Sequence, residues 1–287
     1  MKIINSRAVQ EEWKADLVAD VTAIYEWTGE TPTLAIIQVE GDKASDSYIR
    51  SKVRLAEQIG IGVNHYYLAQ DTDDELIMEL IEDLNANPEI NGIIVQLPLP
   101  KHLNERQILE TISPIKDVDG LTSLQKGYLQ SVKKFSLPPC TAYGIVKLLK
   151  SITDLKGKDV TIVNRSQLIG LPLVQLLQEQ DATVTLCHSK TKNLYDHIQY
   201  ADIVITGVGQ ADFLRTYDFM PGQIIIDCGM NIKDGKLVGD IDMSSNIDID
   251  IQIASGKGHT GPMTVLALMQ NVIAAYDIQE KYFKEDM

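Results

Sequence analysis

Asp159-Val160-Thr161-Ile162-Val163-Asn164-Arg165-Ser166-Gln167-Leu168-Ile169-Gly170-Leu171-Pro172 reads as a strand, a tight turn and the start of a helix. A helix that begins there turns its first backbone N–H groups, which lack partners inside the helix, toward an anion such as a phosphate, whichever residues build the turn. Of the GxGxxG dinucleotide fingerprint only the third glycine is met, by Gly170, while Asn164 and Ser166 stand where the first two would be. The same letters also suit an ordinary buried strand-to-helix turn, so neighbouring segments must decide.

The next apolar strand, Thr183 to Cys187, runs into His188-Ser189-Lys190-Thr191. NAD-selective sites place an Asp or Glu at this point, ~20 residues beyond the turn, for the ribose 2′-hydroxyl. No carboxylate stands here, and a hydroxyl, a lysine and Arg165 can instead hold a 2′-phosphate, which favours NADP over NAD. A basic, solvated loop would give the same letters. Further strands are expected at Ile203 to Thr206 and Ile224 to Cys228. Upstream, Leu34 to Val39, Gly62 to Leu68 and Gly92 to Val95 read as strands that alternate with helices over about 7–28, 44–59 and 74–86.

The fold class is therefore α/β, with two domains built on parallel sheets covered by helices: an N-terminal α/β domain and a Rossmann-like NADP domain. Gly120, Gly127, Pro138 and Pro139 punctuate the boundary region, and a helix from Thr141 to Ser151 enters the second domain. A helix from Thr264 to Tyr276, apolar on one side, returns to the first domain in this reading. The expected division is 1–120 plus 262–287, a discontinuous catalytic domain, and 121–261, the NADP-binding domain.

A chain of 287 residues with 44% apolar content can bury one large or two ordinary cores. A formal charge of -14 without a clustered Lys/Arg face argues against nucleic-acid binding. No apolar signal core opens the chain and no run reaches the ~18 apolar residues of a membrane helix, so a cytoplasmic protein without membrane partners is expected. Cys140, Cys187 and Cys228 lack a CxxC spacing and read as buried free thiols, and the five histidines form no HxxxH pattern, so no metal site is expected.

Tyr48 and Lys52 lie four apart in Ala44-Ser45-Asp46-Ser47-Tyr48-Ile49-Arg50-Ser51-Lys52, so a helix stacks them on one face where they suit a flat, polar ligand. An exposed helix with an incidental Tyr and Lys is the plain alternative. Gln96 ends an apolar strand in Val95-Gln96-Leu97-Pro98-Leu99-Pro100, at the carboxyl edge where open α/β sheets bind ligands, or else it satisfies turn backbone. Asp119 in Lys116-Asp117-Val118-Asp119-Gly120 is either a turn aspartate or a carboxylate for a donor-rich heterocycle.

In this order these three segments resemble the methylenetetrahydrofolate dehydrogenase/methenyltetrahydrofolate cyclohydrolase family. The resemblance extends through Pro139-Cys140-Thr141, Arg165-Ser166, Ile169-Gly170, Pro172, Cys187 to Thr191, Asp227-Cys228-Gly229, Gly239-Asp240 and Gly261-Pro262-Met263-Thr264. It implies oxidation of 5,10-methylenetetrahydrofolate with NADP, then hydrolysis of the 5,10-methenyl product to 10-formyltetrahydrofolate, in the one-carbon metabolism that serves purine biosynthesis. It also implies a homodimer formed through the cofactor domain. On this likeness Tyr48, Lys52, Gln96 and Asp119 are catalytic, and Leu97 and Pro262 join them in binding folate. The cofactor is assigned to Thr141, Asn164, Arg165, Ser166, Ile169, Ser189, Gly207, Gly209, Met230 and Thr264.

Within that reading Tyr48 brackets the pterin, Asp119 anchors its polar edge, Gln96 orients water, and Lys52 assists proton transfer. A lysine doing such work near neutral pH requires burial or a neighbouring cation. Two segments depart from the family pattern. Asn164 replaces a glycine, and its side chain is expected to crowd the pyrophosphate unless the backbone adopts a conformation that Asn tolerates. Ala254-Ser255-Gly256-Lys257-Gly258-His259-Thr260-Gly261 lacks two prolines and a glycine of the family loop, which predicts lost preorganisation. Lys257 and His259 are candidates for contact with a folate's glutamate tail, or are simply solvated. The competing readings are a member with one activity only, a non-catalytic folate- or nucleotide-binding protein, and a shikimate-type dehydrogenase.

Overall fold

The computed structural model describes residues 1–41, 43–131, 133–244, 248–256 and 258–282, without the side chains of residues 43–45. The chain opens with β1 (Lys2–Ile3) and α1 (Ser6–Thr28), then alternates β2 (Thr33–Val39), α2 (Lys43–Ile59), β3 (Gly62–Leu68), α3 (Asp74–Ala86) and β4 (Gly92–Val95). Helices α4 (Glu105–Glu110), α5 (Ser123–Ser131) and α6 (Cys140–Lys150) lead to β5 (Asp159–Val163), α7 (Gly170–Gln178), β6 (Thr183–Cys187), α8 (Leu194–Gln199) and β7 (Ile203–Thr206). Then come β8 (Leu214–Arg215), β9 (Ile224–Asp227), β10 (Asn231–Lys233), β11 (Lys236–Val238), β12 (Ile241–Asp242), β13 (Gln252–Ala254) and α9 (Thr260–Tyr282).

Two compact units result, Trp13–Cys140 with Val265–Met287 and Met1–Glu12 with Thr141–Thr264. The first carries a parallel sheet ordered β3-β2-β4. Its central strand β2 is buried from Leu34 to Val39, as a parallel strand covered on both faces must be. Ile77, Ile81 and Leu84 of α3 pack with Ala35, Ile37, Ile93 and Val95 into one core. Asp73 caps α3 by accepting the Leu76 N–H at 2.9 Å.

The second unit carries a six-stranded sheet ordered β1-β13-β9-β7-β5-β6, parallel throughout. Val163, Val204, Ile225 and Ile253 from four of its strands enter one core. The division differs from the sequence expectation at both ends. Residues 1–12, expected in the catalytic domain, fall in the six-stranded unit, where Lys2 N–H donates to Ile251 O at 2.8 Å and Ile4 N–H to Ile253 O at 2.9 Å. Residues 121–140 were expected with the cofactor domain and fall in the three-stranded unit, where the Gln125 carboxamide donates to Pro114 O and Phe135 O.

Candidate functional site

In the three-stranded unit β2 is followed by α2 and β3 on one side, while β4 lies on its other side. The carboxyl ends of β2 and β4 therefore flank a topological switch point, the place where open α/β sheets bind ligands. Lys52 comes to it from α2 and Gln96 from the end of β4, and Lys52 Nζ donates to Gln96 Oε1 at 3.0 Å. The Gln96 Nε2 donates to Leu97 O at 2.7 Å, which fixes the carboxamide with its oxygen toward the lysine. Tyr48, one turn before Lys52, is half-buried, and that burial pushes its phenol up.

Asp119 arrives on a loop held by its neighbours. Asp117, 1% exposed, accepts the Gly120 N–H at 3.0 Å and the Thr122 N–H at 2.7 Å. Burial pushes its carboxyl up to about 6. Lys116 turns away from the site and donates to Leu84 O at 3.1 Å and Asn87 O at 2.7 Å, with burial lowering its pKa to about 8. Gly120 sits at φ +70, and a Cβ there would lie 2.4 Å from Leu137 O. The Cys140 thiol donates to Val118 O at 3.3 Å. Burial first and then the Asp119 carboxylate, which also hydrogen-bonds it, push that thiol up, while Lys52 pulls it down. Lys52, Gln96, Asp119 and Cys140 are thus brought together. Pro262 belongs to the six-stranded unit, exposed in the first turn of α9.

Two supporting residues escaped the sequence reading, and a third was quoted there without a role. Gln38, buried on β2, donates to Asp46 Oδ1 at 2.7 Å and bonds His65 Nε2 at 3.0 Å, so it ties the first turn of the Tyr48/Lys52 helix to the sheet. Asn271 on α9, 1% exposed, donates to Val118 O at 2.8 Å and Pro138 O at 2.9 Å and so clamps together the segments that lead into Asp119 and into Cys140. A polar letter inside an apolar run was the available signal in both cases. Asp240 is the third, and it serves the other unit.

The six-stranded unit has its own switch point, between β5 and β7. Asn164, Arg165 and Ser166 follow β5, and Gly207 and Gly209 follow β7. Asn164 adopts no left-handed backbone, which answers the conformational condition set by its sequence. The N–H groups of the turn are not all free as expected: Asn164 Oδ1 accepts from Ser166 N–H at 2.7 Å and Gly170 N–H at 3.1 Å, and Ser166 Oγ accepts from Ile169 N–H at 3.1 Å. Asn164 Nδ2 donates to Gly207 O. Gly170 is obligatory, because a Cβ would lie 2.0 Å from Asn164 O. Asp240 holds the loop after β7 through Gln210 N–H at 3.1 Å and Thr206 Oγ1 at 3.3 Å, and Thr264 Oγ1 donates to Thr141 Oγ1 at 3.3 Å. Arg165, Ser189 and Met230 are exposed.

The loop that lost its prolines is anchored by other means. Ser255 Oγ donates to Asp227 Oδ2 at 2.6 Å, Gln10 Nε2 donates to Gly258 O at 2.9 Å, and Ser6 Oγ and His259 Nδ1 share a hydrogen bond of 2.8 Å. Burial lowers the His259 pKa and favours a neutral ring, which is a poor partner for a carboxylate tail. Lys257 lies outside the described residues.

Residues 4–119 match the model of the tetrahydrofolate dehydrogenase/cyclohydrolase catalytic domain, and residues 139–280 match that of its NAD(P)-binding domain. A bifunctional protein FolD of Brevibacillus brevis is 37% identical over 281 residues, covering 97% of this chain and 98% of its own. A crystal structure of the bifunctional FolD methylenetetrahydrofolate dehydrogenase/cyclohydrolase from Campylobacter jejuni superposes with a TM-score of 0.91 at 34% identity, over 97% of this chain and 99% of that one. The Trypanosoma brucei methylenetetrahydrofolate dehydrogenase-cyclohydrolase, solved with NADP cofactor and inhibitor, gives a TM-score of 0.90 at 30% identity, over 97% and 98% of the two chains.

Proposed function

The chain belongs to the tetrahydrofolate dehydrogenase/cyclohydrolase family, and from that premise we infer a bifunctional enzyme of one-carbon metabolism. It oxidises 5,10-methylenetetrahydrofolate to the 5,10-methenyl cation and hydrolyses that cation to 10-formyltetrahydrofolate. The observation that carries the reading is the Lys52–Gln96 hydrogen bond across a switch point, inside a chain matched over both domains.

Bound in the six-stranded unit, NADP would supply the acceptor for the hydride of the one-carbon bridge, and the protein's own contribution is alignment. The residues of the six-stranded unit fit such a group. Gly209, at φ +73, would set no Cβ against a neighbour within 4 Å, and Arg165 and Ser189 are exposed and free of carboxylate competition in sequence. We assign the cofactor to the turn Asn164, Arg165, Ser166 and Ile169, with Ser189 and Arg165 at the 2′-phosphate and Thr141, Gly207, Gly209, Met230 and Thr264 completing the set.

For hydration, Lys52 Nζ moves the proton as water adds and the ring opens, and Gln96 Oε1 holds the amine in place. Tyr48 stacks on the pterin, Asp119 accepts its amino and ring N–H donors, and Leu97 and Pro262 contact folate. The 10-formyl product suits a supply of one-carbon units to purine synthesis. We assign the enzyme to the cytoplasm, supported by three buried free cysteines, and to a homodimer formed through the six-stranded unit, supported by Ile232 and Leu237, exposed on its β10–β11 hairpin.

A stopped assay with 5,10-methylenetetrahydrofolate and NADP or NAD, in which reduced cofactor, methenyl and 10-formyl products are quantified against an enzyme-free control, tests this function. Reduced cofactor with accelerated formyl product is expected. Hydration at the spontaneous rate would leave a dehydrogenase alone, and no reduction with either nucleotide would remove the dehydrogenase.

A further inference from the structure

We propose that the Asn164 side chain is a built-in competitor of the cofactor pyrophosphate and sets dinucleotide affinity in this enzyme. The proposal rests on the dinucleotide reading of the six-stranded unit. The carboxamide satisfies three backbone groups on both sides of the switch point: Oδ1 takes the N–H of Ser166 and of Gly170, and Nδ2 reaches the carbonyl of Gly207 at the end of β7. Gly170 N–H opens α7 and Ser166 N–H lies in the turn that leads to it, the place where a phosphate gains most from N–H groups and the helix dipole. An anion reaches them only after the carboxamide has rotated away and given up its three bonds.

The backbone cannot relieve this competition. Asn164 is outside the left-handed region, so its difference from glycine lies in the side chain alone. Gly170 is pressed against Asn164 O, where even a Cβ would sit at 2.0 Å, so α7 stays close to the turn. The carboxamide oxygen also turns its negative end toward the two donors, in the position an anion's oxygen would take. Each lost hydrogen bond is partly regained with water or ligand, so the net effect is modest: an affinity about tenfold below that of a turn with free donors. Binding then leans on Arg165 and Ser189, assigned above to the 2′-phosphate.

Calorimetric titration of the intact protein with NADP, NAD and adenosine 2′-monophosphate, for wild type, Asn164→Ala and Asn164→Asp, tests the proposal, with thermal melts to check folding. Asn164→Ala is expected to bind both dinucleotides about tenfold tighter and the monophosphate, which lacks the pyrophosphate, within twofold of wild type. Asn164→Asp, which keeps an acceptor for the two N–H groups and adds a charge, is expected to bind both dinucleotides at least about tenfold weaker. Unchanged or weaker dinucleotide binding by a folded Asn164→Ala overturns the proposal. If that variant does not fold, unchanged affinity in Asn164→Asp overturns it instead. Wild type that binds neither dinucleotide sinks the dinucleotide reading itself, and the proposal with it.

Discussion

The two switch points are built alike and used differently. Each lies where the strand that follows in the chain pairs on one side and a later strand pairs on the other, and each is crossed by a carboxamide hydrogen bond: Lys52 Nζ on α2 to Gln96 Oε1 after β4, Asn164 Nδ2 after β5 to Gly207 O after β7. In the three-stranded unit the bridge holds the group assigned to proton transfer and leaves it a partner that ligand binding need not break. In the six-stranded unit the bridge consumes backbone donors that a ligand would use. The same topology thus preorganises one site and restrains the other.

If that contrast is right, damage to the two bridged turns should separate by kind. The largest effect is expected for Gly170→Ala, whose Cβ would meet Asn164 O at 2.0 Å. A backbone atom cannot yield as a side chain does, so a loss of about 3 kcal/mol or more is expected in chemical unfolding, with dinucleotide binding lost alongside it. Wild-type stability in that variant would mean that the turn is looser than described.

Asp117→Ala strips two buried N–H groups, of Gly120 and Thr122, of their acceptor. A loss of roughly 2–3 kcal/mol follows from leaving both unsatisfied, and folate KM should rise because Asp119 sits in the same loop, between Asp117 and Gly120. Unaltered KM in a folded variant would detach Asp119 from the substrate.

A smaller, pH-dependent effect belongs to Lys116. Burial lowers its folded pKa from 10.5 to about 8, so below about 8 both states carry the proton and the folded state bears the cost of the buried charge in full. As pH rises from about 8 toward 10.5 the unfolded chain holds more protons than the folded one, and stability conferred by this residue rises. Between pH 7 and 9.5 wild type should gain roughly 1–2 kcal/mol over Lys116→Met in parallel melts. A gap that stays flat, or shrinks, contradicts the assignment.

Much of this architecture is legible in the sequence because strands buried on both faces, such as Gly92–Val95 and Ile203–Thr206, are short apolar runs with clear ends. The half-exposed edge strands Gly62–Leu68 and Thr183–Cys187 also have the bounds their letters predict. The pairing of Lys2–Ile3 with β13 is not legible: two residues carry no period, and their partners lie some 250 positions away. The hairpin β10–β11 is equally hidden, since its apolar Ile232 and Leu237 face outward and show no alternation toward a core. At the sites, spacing singles out Tyr48 and Lys52, and the family likeness joins Gln96 and Asp119 to them. Asn164 shows as a departure, but the direction of its carboxamide is set by a rotamer, and no spacing reveals which N–H groups it takes. The anchors of the proline-poor loop, Ser6 and Gln10, come from the opposite end of the chain.

The most direct test of the account compares the two reactions in Lys52→Met, measuring oxidation of the methylene substrate and hydration of the methenyl substrate separately. The account predicts that hydration falls to the uncatalysed rate, a loss of at least about 100-fold, while measurable NADP reduction remains. Hydration at the wild-type rate in that variant would contradict it.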